Sequence, residues 1–179
     1  MLVVISGLPG TGKSAVAEAV AGPLGAVHLS IDVVEDALLG AGLPRSWTTG
    51  VAAYEAVRAA AEQNLRLGRT VVVDAVNDSE AARATWRRAA AGTGSVLVFV
   101  VLTLDDREEH RRRLEGRVRD LPHIPEPTWD EVQQRSAGFE PWVGECLVIG
   151  ADRPVADLAT AVLNNIRRFP PNTVENVER

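Results

Sequence analysis

Eight consecutive residues constrain this chain more than any others: Gly7-Leu-Pro-Gly-Thr-Gly-Lys13-Ser14 satisfies the pattern G-x-x-x-x-G-K-[ST] in full. The pattern carries physical meaning only between a strand and a helix, and both neighbours are present. Residues 2–5 form a short, apolar, largely β-branched run of the kind found in a buried parallel strand. Residues 14–21 are rich in Ala, Val and Glu, and Gly22-Pro23 is expected to end that helix. In this setting Gly7, Leu8, Pro9, Gly10, Thr11 and Gly12 bend the backbone until several N–H groups face one phosphate, and the helix start at Lys13, Ser14 and Ala15 adds favourable partial charge. Lys13 is expected to reach the β- and γ-phosphates of a triphosphate such as ATP, and Ser14 to offer its hydroxyl to Mg²⁺. Lys13 is also the only lysine among 19 basic residues, all others being arginine. A chain that uses arginine everywhere else keeps a compact ammonium where a planar fork would not serve. The bland alternative, a glycine-rich turn, leaves that choice unexplained.

Beyond this loop the pattern alternates. Strands are expected over residues 26–29, 70–74, 95–104 and 146–149, and helices from residue 30 or 32 to 39 and over 51–67, 79–91, 105–116, 128–137 and 155–168. Five short buried strands interleaved with helices call for an α/β fold: a five-stranded parallel sheet in a three-layer α/β/α sandwich. Ligands of such sheets sit at the carboxyl ends of the strands. One domain over residues 1–168 is expected, with a lid at about 105–144 and a loose tail at 169–179. The irregular stretch 116–144 holds four prolines and two tryptophans, more than a simple connector needs.

Composition narrows the classes. A formal charge of −5 opposes the broad positive field of a dedicated nucleic-acid binder. No apolar run approaches the ~20 residues of a membrane span. The single cysteine, Cys146, cannot form an internal disulfide, and no signal-like segment follows Met1, which points to a cytoplasmic protein. His28, His110 and His123 lack metal-ligand spacing. The sequence is silent on oligomeric state.

Two strand-terminal carboxylates are candidates for chemistry. Asp32 follows the second strand, where it can orient an acceptor hydroxyl or take its proton, join the metal shell, or cap the next helix. Asp74, closing V-V-V-D, suits a magnesium-holding or acceptor-orienting role. Asn77 in the same loop either contacts the acceptor or belongs to a helix cap. Trp47, Tyr54, Trp129, Phe139 and Trp142 offer aromatic faces for an acceptor ring or for ordinary packing.

With these segments in view the chain resembles the AAA_33-type small P-loop kinases, related to polynucleotide 5′-kinase, gluconate kinase and chloramphenicol phosphotransferase. The resemblance rests on G-L-P-G-T-G-K-S, Asp32, V-V-V-D-A-V-N ending at Asn77, R-L-E-G-R from Arg113 to Arg117, and F-E-P-W from Phe139 to Trp142. It implies a nucleoside-kinase-like P-loop NTPase fold with a helical lid, ATP and Mg²⁺ as cofactors, and transfer of the γ-phosphoryl group to a hydroxyl. It also implies that Arg113 and Arg117, with Arg119 nearby, contact the triphosphate. Residues four apart share a helix face, which agrees. Arg153 and Pro154 correspond in position to the adenine-contacting loop. Relatives acting on phosphorylated polynucleotide ends often carry an arginine three residues after the candidate base, whereas this chain has Glu35 and then Asp36. That acidic pair is expected to favour a small neutral or cationic acceptor contacted by Asp32, Glu35, Trp47, Tyr54, Asp74 and Asn77. A polynucleotide 5′-kinase, a nucleotide-sugar kinase of the zeta group and a nucleotide-binding switch stand as alternatives.

Overall fold

Residues 1–169 are described by the computed structural model. Their elements follow in chain order: β1 (Leu2–Ser6), α1 (Lys13–Leu24), β2 (Val27–Ser30), α2 (Ile31–Gly40), α3 (Trp47–Arg66), β3 (Val71–Ala75), α4 (Glu80–Thr93), β4 (Leu97–Thr103), α5 (Arg107–Gly116), α6 (Trp129–Ala137), β5 (Leu147–Gly150) and α7 (Val155–Ile166). The strands form one sheet in the order β2-β3-β1-β4-β5, and every pairing is parallel. β1 is central, and the glycine-rich loop leaves its carboxyl end.

Alternation along β1 divides the core into two layers. Val3 and Ile5 face α1 and α7, packing with Val16, Val20, Leu158 and Val162. Leu2 and Val4 face the other way, with Val57, Ala61 and Trp86 of α3 and α4. The α/β/α sandwich expected from the sequence is the fold observed.

Several boundaries differ from expectation. α1 passes Gly22-Pro23 and stops at Leu24, because a proline in the last turn removes only one donor and the left-handed Gly25 (φ 55°) makes the exit. α3 begins at Trp47, four residues before the apolar periodicity starts, since the Ser46 hydroxyl accepts the Thr49 N–H and fixes the first turn. α7 ends at Ile166. The expected tail lies outside the described residues apart from Phe169.

A charge inside the fold ties the end of the irregular segment to the sandwich. Arg83 of α4 is fully buried. It donates to the carbonyls of Asn77 (3.0 Å), Pro141 (2.7 Å) and Glu140 (2.5 Å), and its guanidinium lies 4.2 Å from the Trp142 ring centroid. Glu140 completes the lock by accepting the Glu80 N–H at the start of α4. The F-E-P-W segment is therefore a structural anchor. Replacing Arg83 by Met removes three hydrogen bonds, leaves the carbonyl of the buried Asn77 unsatisfied and should cost about 3 kcal/mol. The check is a shifted urea midpoint at unchanged m-value; a loss below ~1 kcal/mol would deny the anchor its importance.

Candidate functional site

The glycine-rich loop runs from Gly7 to Gly12 between β1 and α1, wedged between the ends of two neighbouring strands. Gly7 has φ 144° and donates its N–H to the Val76 carbonyl at 3.3 Å. A Cβ at Gly7 would lie 2.5 Å from the Leu102 carbonyl oxygen, so no other residue fits. His110 of α5 holds the loop from outside: its Nε2 donates to the Pro9 carbonyl at 2.7 Å, and its ring abuts Gly10. Trp129 meets the same ring edge-on at 5.3 Å.

Lys13 is buried and bonds the Leu8 carbonyl at 3.1 Å. Burial drags its pKa from 10.5 to about 8, with Asp32 and Asp74 opposing the fall and Arg117 and Arg119 adding to it.

Asp74 is buried at the end of β3, where Ser14 Oγ donates to its Oδ2 at 2.5 Å and His28 Nε2 to its Oδ1 at 3.1 Å. Burial alone would push its carboxyl up; the bonds from His28 and Ser14 and the charge of Lys13 hold it below the usual range. A hydroxyl beside a carboxylate is a hard-oxygen donor set. Among the described residues no cluster of three or more His, Cys, Asp or Glu could cage a metal. Mg²⁺ ordinarily takes one or two protein oxygens and fills its shell with water and substrate phosphate, so Ser14 and Asp74 fit it. Asp32 is elsewhere engaged: its Oδ2 accepts from Arg119 Nη1 at 2.6 Å, and no contact joins it to Ser14 or Asp74. Its expected place in the metal shell therefore lacks support, and so does capping, since Ser30 occupies the N-cap position.

Two clefts meet here. One, of about 490 Å³, is lined by Gly10, Gly12, Lys13, Ser14 and Ala15 of the loop, and by Arg113, Arg153 and Pro154 on the side of β5. The other, of about 500 Å³, extends past Glu35, Arg45, Asp78 and Arg135 towards α6. Lys13, Asp32, Arg117 and Arg119 line both. The first cleft carries five cationic side chains against Asp32 alone, whereas the second sets Lys13 and four arginines against Asp32, Glu35, Asp78 and Glu131.

The lid arginines reach this junction differently from expectation. α5 stops at Gly116, so Arg117 is in extended backbone and does not share a helix face with Arg113. Arg113 is tied to Glu109 and to the Ala151 carbonyl, each at 2.6 Å. Arg117 and Arg119 each give Nε to Glu126 at 2.6 Å. Burial and the neighbouring Arg119 lower the Arg117 pKa.

Of the expected acceptor contacts, Asp32 and Glu35 line the second cleft, and burial together with Asp32 raises the Glu35 pKa against the pull of Arg45 and Arg135. The others are not brought there. Asn77 is fully buried at φ 54°, a left-handed position that asparagine tolerates. Its amide is spent on Ser6 and Trp86, each at 2.8 Å. Tyr54 packs on Trp86, its hydroxyl accepting the Asn77 N–H, and burial holds its phenol well up. Trp47 is 83% exposed and lines neither cleft. Trp129, Phe139 and Trp142 pack against His110 and Arg83. Asp36 lines neither cleft and binds the lid turn at His123 and Ile124. Sequence reasoning missed the support given by His28, His110 and Asp36; His28 and Asp36 fall within largely apolar elements, a usable signal, whereas His110 stands in the charged helix α5 and carries none.

The family model AAA_33, an AAA domain, matches residues 2–139. The chain belongs to that family. No curated protein matches it. Among solved structures, a sugar kinase from Janibacter sp. HTCC2649 aligns with TM-score 0.69 at 18% identity, covering 91% of this chain and 92% of that one. A gluconokinase from Sinorhizobium meliloti 1021 aligns with TM-score 0.66 at 23% identity, covering 93% and 91%. The Mycobacterium tuberculosis APS kinase CysC, in complex with AMPPNP and APS, aligns with TM-score 0.71 at 23% identity, covering 93% and 96%. At such identities the likeness concerns the fold, which is that of the small P-loop kinases.

The Lys13 shift yields a signed expectation. Phosphates beside the ammonium raise its pKa again, so binding takes up protons wherever unliganded Lys13 has begun to lose its own. Affinity for ADP should therefore fall as pH rises through about 8. Calorimetry in buffers of differing ionisation enthalpy should register proton uptake there, and a flat affinity with no uptake would place Lys13 away from the phosphates.

Proposed function

We propose that this AAA_33 chain is an ATP-dependent phosphotransferase, with Mg²⁺, that moves the γ-phosphoryl group onto a hydroxyl of a small neutral or cationic metabolite. The observation carrying this reading is the junction: two clefts, one strongly cationic and one nearly balanced, share Lys13, Asp32, Arg117 and Arg119. The strongly cationic cleft suits a triphosphate. The nearly balanced one suits an acceptor without phosphate, such as a sugar, an aminated sugar, or a nucleoside-like or antibiotic-like alcohol, and its size is that of a small-molecule site. The balance comes from Glu35, Asp78 and Glu131 against Arg45 and Arg135. Likeness in fold to a sugar kinase and a gluconokinase supports a sugar-like acceptor. A polynucleotide groove finds no support in that charge balance.

In the transfer, a bond forms between the acceptor oxygen and the γ-phosphorus as the bond to the β,γ-bridging oxygen breaks, and ADP leaves. Asp32 takes or orients the acceptor proton. The loop N–H groups and Lys13 hold the phosphate oxygens, and Arg117 and Arg119 offset charge on the moving group. Ser14 and Asp74 would hold Mg²⁺, which when bound would supply neutralising charge to the triphosphate. Lid closure over the junction keeps water from competing with the acceptor. The reaction draws on ATP and so suits the cytoplasm; no helix among the described residues is long and apolar enough to cross a membrane.

The test incubates the protein with Mg·ATP and a panel of sugars, aminated sugars, nucleosides, antibiotics and oligonucleotides, reading ADP and the phosphorylated product by mass. One panel member should gain a phosphoryl group, and Asp32→Asn should retain ATP binding while losing roughly 10²–10⁴ of the transfer rate. Tight ATP binding without any phosphorylated product, and ATP turnover unchanged in Asp32→Asn, would favour a nucleotide switch instead.

A further inference from the structure

Arg117 and Arg119 lie in a stretch that has little means of holding them. Between the end of α5 at Gly116 and the start of α6 at Trp129 there is no helix or strand, and no residue from 117 to 128 is buried. Val118, between the two arginines, is 97% exposed. The stretch contains one backbone hydrogen bond of its own, from Ile124 N–H to the Leu121 carbonyl at 3.4 Å. Glu126 fastens the arginines to each other and leaves their position over the junction unset.

That position comes from α2. Asp32, Asp36 and Gly40 are spaced four residues apart and so lie in line along one face of the helix. Each meets the stretch. Asp32 accepts from Arg119. Asp36 Oδ1 accepts the backbone N–H groups of His123 (2.8 Å) and Ile124 (3.1 Å), while its Oδ2 lies 3.2 Å from His123 Nδ1. The His123 ring then rests on Gly40, where a Cβ would come within 2.8 Å of its Cε1. A carboxylate that grips two adjacent backbone amides fixes a turn irrespective of side-chain flexibility.

We infer that Asp36 and Gly40 are positioning residues: they seat the turn at 121–124 on the same helix face that presents Asp32, and so set Arg117 and Arg119 over the point of transfer. This rests on the transferase reading for its purpose but not for its geometry. The helix carrying the candidate base also carries the seat of the charge-stabilising groups, so base and arginines are held in one frame. Donors preorganised in this way act at full strength, and a displacement of about 1 Å can cost as much as 10²-fold in rate.

The decisive experiment is a rescue. Gly40 has no positive φ, so alanine there is conformationally acceptable to the helix and its cost is the collision with His123. Gly40→Ala pushes the half-exposed His123 ring off the helix and weakens its contact with Asp36, so it should modestly speed hydrogen exchange across 117–126 and lower kcat about 3-fold, with ADP affinity little changed. Gly40→Ala combined with His123→Ala removes the obstructing ring and should restore most of both. Asp36→Ala, which removes the oxygen that accepts both backbone N–H groups, should loosen the same segment and lower kcat more strongly. The inference is overturned if exchange at 117–126 is unchanged in Gly40→Ala and Asp36→Ala, or if the double variant recovers nothing. Exchange and ADP affinity need no acceptor. If no acceptor is ever phosphorylated yet exchange follows the rescue pattern, the transferase reading falls and the seat stands.

Discussion

Lys13 is carried into a place where water does not follow, and the loss of hydration brings its pKa down to about 8. A buried ammonium needs compensation, and the surrounding site is arranged around that need. Asp32 and Asp74 supply opposite charge, while Arg117 and Arg119 bring like charge close enough to work against them. An arrangement with two carboxylates and three cations around one point is nearly neutral at its centre and poorly satisfied at its edges. A triphosphate would relieve it, since every cation there would then have an anion to face.

The two carboxylates share the same charge and differ in everything else. Asp74 ends β3 beneath the loop and is held on both oxygens, by Ser14 and by His28. Asp32 stands in the first turn of α2 with one oxygen on Arg119, at the boundary that both clefts share. The first environment fixes a carboxylate in place, as a metal-binding oxygen requires. The second leaves it open to both clefts and linked to Arg119 of the irregular stretch. Division of labour between chemically identical side chains is set by environment, and here by which strand end each one follows.

The sandwich was legible because buried parallel strands read as continuous apolar runs, and the loop because glycine and lysine at that spacing answer to backbone geometry close at hand. What escaped notice depends on pairs distant in sequence. His28 meets Asp74 across 46 residues, Asp36 meets His123 across 87, and His110 meets Pro9 across 101. No local pattern marks such a pair. Side-chain chemistry also misled where direction mattered: Asn77 and Tyr54 have the groups to bind an acceptor, but β3 and α3 turn them under the site, where they brace the loop against Trp86. Arg113 and Arg117 line one cleft as expected but share no helix face, since Gly116 closes α5 between them and only a continuing helix would have aligned them.

The same structure is stiff on one side of the site and yielding on the other. β1 is buried from end to end and held by parallel strands on both sides, so the loop that leaves it is a finished cradle. The arginines opposite sit in an irregular stretch held by a few carboxylates, mostly at the surface. A cradle must be preorganised, because rearranging dipoles during the reaction would cost what it was meant to supply. On the proposed transferase reading, groups that close over a phosphate must also let the product go, and the charge-assisted bonds to Asp32 and Glu126 would give the arginines somewhere to return when the phosphate leaves. Were Arg117 and Arg119 fixed as firmly as Lys13, they would bind ADP as well as they bind the transition state, and binding that does not discriminate between the two adds nothing to the rate.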